Sequence, residues 1–299
     1  MKRQAKGTLS LLVATIIWGS TFVAQSVGMD HIGPFTFQAV RCAMGFVVLI
    51  PIIWILDRFQ KDGKTFWSRW ADPKLWKAGL LCGIPLFIAA NLQQMGIVDT
   101  DAGKSAFLTA MYIVLVPILG LFRKKMPSIW IVLSLPLAVA GLYCLSCVGV
   151  TQISTGDLLL LGCALAFAVQ ITFVDIYANQ VDGVRLNCIS CLICAVLSGI
   201  VMVFTETPTW ESIGGCWFSL VYAGVFSMGI AYTLQIVGQQ HLESSTASLL
   251  MSMESVFAVL AGSILLHERL TRWEGIGCVL MLAAVVLSQL PNKKEKVSA

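Results

Sequence analysis

Ten stretches of mostly apolar residues follow one another through this chain, at 8–27, 34–56, 75–97, 103–122, 128–149, 156–177, 185–205, 214–238, 244–265 and 272–290. Each is near the length of about 20 residues that a helix needs to cross a bilayer. The connections are short. The longest, 57–74, holds Asp57, Arg58, Lys61, Asp62, Lys64, Arg69 and Asp72, and leaves no room for a soluble domain. Only 12% of the residues are charged, against about 25% in a soluble domain. Such a chain cannot cover itself with polar surface, so its solvent is lipid. The expected fold is an all-α polytopic membrane protein.

Two segments echo each other. Asn91-Leu92-Gln93-Gln94-Met95-Gly96 is answered by Thr233-Leu234-Gln235-Ile236-Val237-Gly238, an offset of 142 positions. The same ungapped offset carries Leu108 to Leu250, Met111 to Met253, Gly120 to Gly262 and Leu145-Ser146 to Leu287-Ser288. A Gln and a Gly recurring together inside hydrophobic segments is the telling part. Five segments fit into the offset. Five is odd, so the second copy crosses the membrane in the opposite sense, the inverted-repeat arrangement of secondary transporters. The expected units are 8–149 and 156–290, five helices each, with a tail at 291–299.

The net charge of +4 is modest and does not point to nucleic acid; its placement matters more. With the N-terminus inside, the inner segments hold Lys2, Arg3, Lys6, Arg58, Lys61, Lys64, Arg69, Lys74, Lys77, Arg123, Lys124, Lys125, Arg185, Lys293, Lys294 and Lys296. The outer ones hold Lys104, Arg269 and Arg272. The positive-inside rule then puts both termini in the cytoplasm of a plasma (inner) membrane. Met1-Lys2-Arg3 before an apolar run imitates a signal peptide, but the run is long enough to span and no small-x-small site closes it. Trp67, Trp70, Trp76, Trp130, Trp210, Trp217 and Trp273 fall near span ends and read as interfacial anchors.

Polar residues within the spans are the candidate site. A charge at the centre of a lone helix costs about 2.5–3.5 kcal/mol on insertion scales, so it must face a cavity or a partner. Glu254, mid-span in the ninth segment, is the one acid near a predicted bilayer centre. It reads as a contact for a substrate cation, as a coupling-proton site, or as a hydrogen-bonded structural group. Arg41 lies about two turns into the second segment. It reads as a site for a substrate carboxylate, as a partner of Glu254, or as a snorkelling side chain. Gln93 and Gln235 are repeat partners, and Tyr112 occupies the repeat position of Glu254. Asn91, Gln94, Tyr232, Gln170 and Trp18 with Ser20 and Thr21 could complete a lining. For each, interhelical hydrogen bonding competes with substrate contact. Lys104 and Asp175 near span ends are weaker candidates. Gly19, Gly96 and Gly103 permit close helix approach. Pro85, Pro117 and Pro136 are expected to kink their helices, and Pro117 to break the fourth span near its middle.

Of the ten Cys, Cys188, Cys191 and Cys194 share a helix face. No His, Asp or Glu flanks them to complete a metal site, so they read as small apolar residues facing a neighbour. No metal or cofactor is expected. The chain has no phosphate-cradling loop and no HExxH or GxSxG motif, so neither ATP-driven pumping by this chain nor intramembrane hydrolysis has visible machinery. An alternative stays open: a membrane enzyme or scramblase acting on a lipid or lipid-linked substrate. A lining with one acid, one base, amides and aromatics suits a zwitterion, and many neutral metabolites too.

Four pieces carry a family resemblance. They are Trp18-Gly19-Ser20-Thr21-Phe22, Ala102-Gly103-Lys104-Ser105-Ala106-Phe107-Leu108 through Val116-Pro117, Glu254-Ser255-Val256-Phe257-Ala258, and His267-Glu268-Arg269-Leu270. In order and spacing, over nearly its whole length, the chain resembles the EamA-type members of the drug/metabolite transporter superfamily. The resemblance implies ten helices in two inverted five-helix repeats around a cavity open alternately to each side. It also implies movement of small metabolites, often export of amino acids or toxic compounds. Membrane lipids and a small solute are then the partners, with protons a candidate coupling ion and a monomer or homodimer the assembly. One departure is visible: the family's second repeat usually reads Glu-Pro where this chain has Glu254-Ser255, which leaves a Pro-dependent break of the ninth span without its Pro.

Overall fold

The computed structural model describes residues 2–60, 65–100, 102–146, 154–265 and 271–290. The His267-Glu268-Arg269-Leu270 piece, Lys61, Asp62 and Lys64, the surroundings of Gly103 and the tail 291–299 lie outside the described residues. The helices are α1 (Lys2–Met29), α2 (Pro34–Phe59), α3 (Phe66–Trp70), α4 (Pro73–Val98), α5 (Ala102–Ala110), α6 (Tyr112–Phe122), α7 (Ile129–Ser146), α8 (Thr155–Tyr177) and α9 (Gly183–Thr205). They continue with α10 (Trp210–Gly215), α11 (Trp217–Val221), a π-helix (Tyr222–Ala231), α12 (Tyr232–Gln239), α13 (Ser244–Met251), α14 (Glu254–Leu265) and α15 (Arg272–Ser288).

The helix starts follow from local chemistry. Pro occupies the first turn of α2 and of α4, where its missing N–H costs nothing. Ser154 with Asp157 and Thr271 with Glu274 form capping boxes on α8 and α15. Asp182 caps α9 by accepting from the Arg185 N–H.

Eight helical runs are long and apolar enough to cross a membrane, among them α5 with α6, α11 through α12, and α13 with α14. The fifth predicted span is the shorter apolar helix Ile129–Leu145, beyond which 147–149 lie outside the described residues. The tenth is the 17-residue α15, which packs along α7. Leu9, Val47, Ile55, Phe122, Val203, Phe204 and Val279 face outward, a surface that only lipid accommodates.

Among the described residues, three spans are broken. The fourth breaks at Met111, not at Pro117, which sits inside a continuous α6. Proline removes one backbone hydrogen bond, and packed neighbours in a membrane bundle hold the helix together around it. At Met111 the bonding tightens instead: its N–H reaches Leu108 O at 3.2 Å, and the Val114 N–H reaches Met111 O at 3.1 Å. The ninth span breaks in the same way at Ser252 and Met253, without a proline, and Met253 is the repeat partner of Met111. In the eighth span the π-helix ends with the Tyr232 N–H bonded to Ser227 O. Asn187 Nδ2 donates to Met228 O at 2.8 Å and to Gly229 O at 3.2 Å. A side chain inserted into the ladder is a standard cause of such widening.

The two repeats interlock. α1 packs on α12 and α14 of the second repeat, and correspondingly α4 and α6 pack on α8. α2 pairs with α9, and α7 with α15. Two equivalent crossings need glycine. A Cβ on Gly96 would lie 3.0 Å from Gly156 O, and one on Gly238 would lie 3.2 Å from Gly7 O. Gly19 is a third close approach: a Cβ there would lie 2.7 Å from the Ala258 N of α14. All-α, with ten membrane helices in two repeats, is the architecture of this chain.

Candidate functional site

Where the broken spans face one another lies a small cavity of about 40 Å³. Helix periodicity places its walls. Trp18, Phe22 and Gln25 come from one face of α1, and Phe167, Gln170 and Ile171 from one face of α8. Arg41 enters from α2, Gln93 from α4, Ser227 from the π-helix, and Tyr232 and Gln235 from α12. Tyr112 and Glu254 each begin the half-helix that follows a break.

At its centre the repeat partners meet. Tyr112 donates its hydroxyl to Glu254 Oε1 at 2.9 Å. That is the one hydrogen bond of the Glu254 side chain among the described residues, and Oε2 is left for the cavity. Glu254 and Arg41 make no ion pair among the described residues. The Arg41 Nε instead donates to Gln38 Oε1 at 2.6 Å, and its guanidinium lies 5.6 Å from the centre of the Phe37 ring. Gln38 in turn donates to Cys42 Sγ at 3.0 Å and Cys194 Sγ at 3.3 Å.

Two amide clusters flank this centre. Gln25 Nε2 donates to Gln93 Oε1 at 3.2 Å and to Gln94 Oε1 at 3.0 Å. Gln235 Nε2 donates to Gln170 Oε1 at 3.1 Å and to Gln239 Oε1 at 3.0 Å. Each cluster joins the first helix of one repeat to the third helix of the same repeat. Tyr232 meets Trp18 edge-on, with ring centres 5.0 Å apart. Within the cavity lining, the buried Trp18 Nε1 and Gln235 Oε1 have no hydrogen-bond partner among the described residues.

Trp18, Arg41, Gln93, Tyr112, Tyr232, Gln235 and Glu254 therefore share one cavity wall. Asn91 does not: it is buried away from the cavity, donating to Phe87 O and Ser198 Oγ, each at 2.8 Å. Lys104 pairs with Asp157 at 2.6 Å, and Asp175 accepts from Arg123 at 2.9 Å and Lys125 at 2.8 Å. These ion pairs tie span ends and stand apart from the lining. Cys188, Cys191 and Cys194 are buried on α9, as small residues facing a neighbour. Gln25, and the place of Phe22 in the lining, are additions that the structure makes to the sequence reading, although both follow Trp18 at helical spacing. The same spacing links Phe167 and Ile171 to Gln170.

Two repeats interlocked around a polar cavity in lipid define a membrane transport protein. The EamA-like transporter family matches residues 5–147 and 154–290, and the chain belongs to it. It is similar to an uncharacterized transporter of Archaeoglobus fulgidus, 30% identical over 94% of this chain and 85% of that one. The uncharacterized transporter YoaV of Bacillus subtilis is 23% identical over 98% of this chain and 99% of its own length. The threonine/homoserine exporter RhtA of Escherichia coli K12 is 26% identical over 95% and 92%. A solved structure, 18% identical, covers 99% of each chain with a TM-score of 0.77 and shares the fold.

Proposed function

We propose that the chain is a secondary transporter that exports small metabolites, such as amino acids or drug-like compounds, by alternating access through the central cavity. The observation that carries this reading is the meeting of Tyr112 and Glu254, repeat partners on two broken spans, at the wall of the central cavity. Discontinuous helices at a repeat interface are where transporters of this design hold their cargo. The similarity to an exporter of threonine and homoserine supports both the direction and the class of solute.

In this reading Glu254, Arg41, Tyr112, Tyr232, Trp18, Gln93 and Gln235 bind the solute. Asn91 supports them by holding α4 against α9. Protons are the coupling ion, exchanged at Glu254, whose carboxylate has no cationic partner among the described residues. The protein sits in the plasma membrane with both termini in the cytoplasm, following the distribution of Lys and Arg.

The test compares intracellular and extracellular metabolite pools in cells with and without the protein. A metabolite should fall inside and rise outside, and Glu254→Gln should reduce that change at least about tenfold. Identical pools, or lipid turnover by the reconstituted protein without solute flux, would overturn the reading. Flux indifferent to an imposed pH gradient would remove the proton from it.

A further inference from the structure

The cavity contains a cation to which the described residues give no counter-charge. Arg41 is 2% exposed and lines the cavity, and no carboxylate lies within ion-pair distance of it among the described residues. Its Nε is satisfied by Gln38, while its two terminal nitrogens make no hydrogen bond among the described residues. A buried guanidinium without a counter-charge is costly. Arg is also the side chain whose planar fork matches a carboxylate. Elsewhere in this fold the buried Arg185 has two acids, Asp57 at 2.5 Å and Asp182 at 3.2 Å. Of the two buried arginines among the described residues, Arg41 is the one left open toward a ligand.

Its aim is set by a short relay. Gln38 is fully buried, takes the Arg41 Nε–H on its oxygen and anchors its amide nitrogen on the thiols of Cys42 and Cys194. That fixes one edge of the guanidinium and presents the other to the cavity. The orphaned Trp18 Nε1–H adds a second buried donor to the same wall. Unfilled acceptors lie on this wall as well: Glu254 Oε2 and the orphaned Gln235 Oε1.

We infer that Arg41 is the specificity-determining residue for the solute's carboxylate, that Gln38 is its positioning residue, and that Glu254 with Gln235 receives the ammonium end of an α-amino acid. This rests on the transporter reading and narrows it: a solute without a carboxylate is rejected.

Purified protein in lipid nanodiscs distinguishes the two. Binding of L-threonine and L-threonine methyl ester would be measured by displacement of a panel of labelled L-amino acids. The wild type should prefer the acid to the ester at least about 30-fold, because the ester lacks the anion that the guanidinium pairs with. Arg41→Gln should bring that ratio close to one. Arg41→Lys, which keeps the charge and loses the fork, should lower it about tenfold. Gln38→Leu should also lower the ratio, while Gln38→Asn retains part of it. A purely structural Gln38 would change the quantity of folded protein and leave the ratio alone. Equal affinity for acid and ester in the wild type, or an unchanged ratio in a folded Arg41→Gln or Arg41→Lys protein, overturns the inference. Binding of no amino acid, in a protein that still changes metabolite pools in cells, overturns it too and leaves the transporter reading standing.

Discussion

Removing the carboxylate of Glu206 should loosen the N-terminus of α2, although the two are 170 residues apart in sequence. Gly33, the residue before α2, has no side chain with which to cap it, and Pro34 has no N–H to satisfy. The next two donors, Phe35 N and Thr36 N, are taken by the two oxygens of Glu206 at 2.9 and 2.8 Å, and the Thr36 hydroxyl adds a third bond at 2.5 Å. The Phe37 N–H already reaches Gly33 O at 3.0 Å, so every amide donor of the first turn is accounted for. A hydrogen bond to a charged group is worth about 1.5–3 kcal/mol, and a carboxylate at a helix N-terminus a further ~0.3–1 kcal/mol. Glu206 is half-buried, so water replaces part of the loss. The expected cost of Glu206→Ala is then about 2–4 kcal/mol, of Glu206→Gln about 1–2 kcal/mol, and of Thr36→Val about 1 kcal/mol. The assay is equilibrium unfolding in mixed micelles of dodecyl maltoside and SDS, followed by tryptophan fluorescence. The double variant Glu206→Ala with Thr36→Val should cost less than the sum of the two, because they share a bond. A Glu206→Ala protein within about 0.5 kcal/mol of the wild type, or strict additivity, would refute the remote cap.

Further outcomes follow from other contacts. Tyr112→Phe deletes the hydrogen bond that orients Glu254, and should weaken solute binding about tenfold in a displacement assay while the protein still folds. Gly156→Ala would place a Cβ 2.8 Å from Gly96 O and 2.5 Å from Thr100 Oγ1. It should cost about 1–3 kcal/mol in the same unfolding assay. Lys104→Met leaves the buried Asp157 without the ammonium at 2.6 Å, for an expected loss of about 3–5 kcal/mol that a second change, Asp157→Leu, partly restores. Green fluorescent protein fused after Ala299 should fluoresce and alkaline phosphatase there should stay inactive; the opposite pattern would invert the assigned orientation.

Much of this architecture is written in simple periodicities. Apolar runs separated by Pro34, Pro73, Ser154, Asp182 and Thr271 mark where helices begin, since capping and proline chemistry are local. The offset between Gln93 and Gln235 marks the repeat, and it led to Tyr112 and Glu254 as partners. Their hydrogen bond was not legible, because contact across a pseudo-twofold depends on how far each broken span tilts. The break itself was misplaced at Pro117. Its determinant at Met111 and Met253 is a tightened turn with no single signature residue. Gln25 escaped for a different reason: an amide near a span end resembles ordinary interfacial polarity until Gln93 and Gln94 are seen beside it.

The helix pair α2 and α9 is fastened at both extremities. At one, Glu206 from the end of α9 holds the start of α2; at the other, Asp57 near the end of α2 holds Arg185 near the start of α9. A beam pinned at both ends can bow but cannot slide. If the cavity is to face first one side and then the other, this pair behaves as the stationary post. The travel then falls to members with a joint part-way along their length, which in this molecule are the spans interrupted at Met111, at Ser252 and Met253, and at the π-helix.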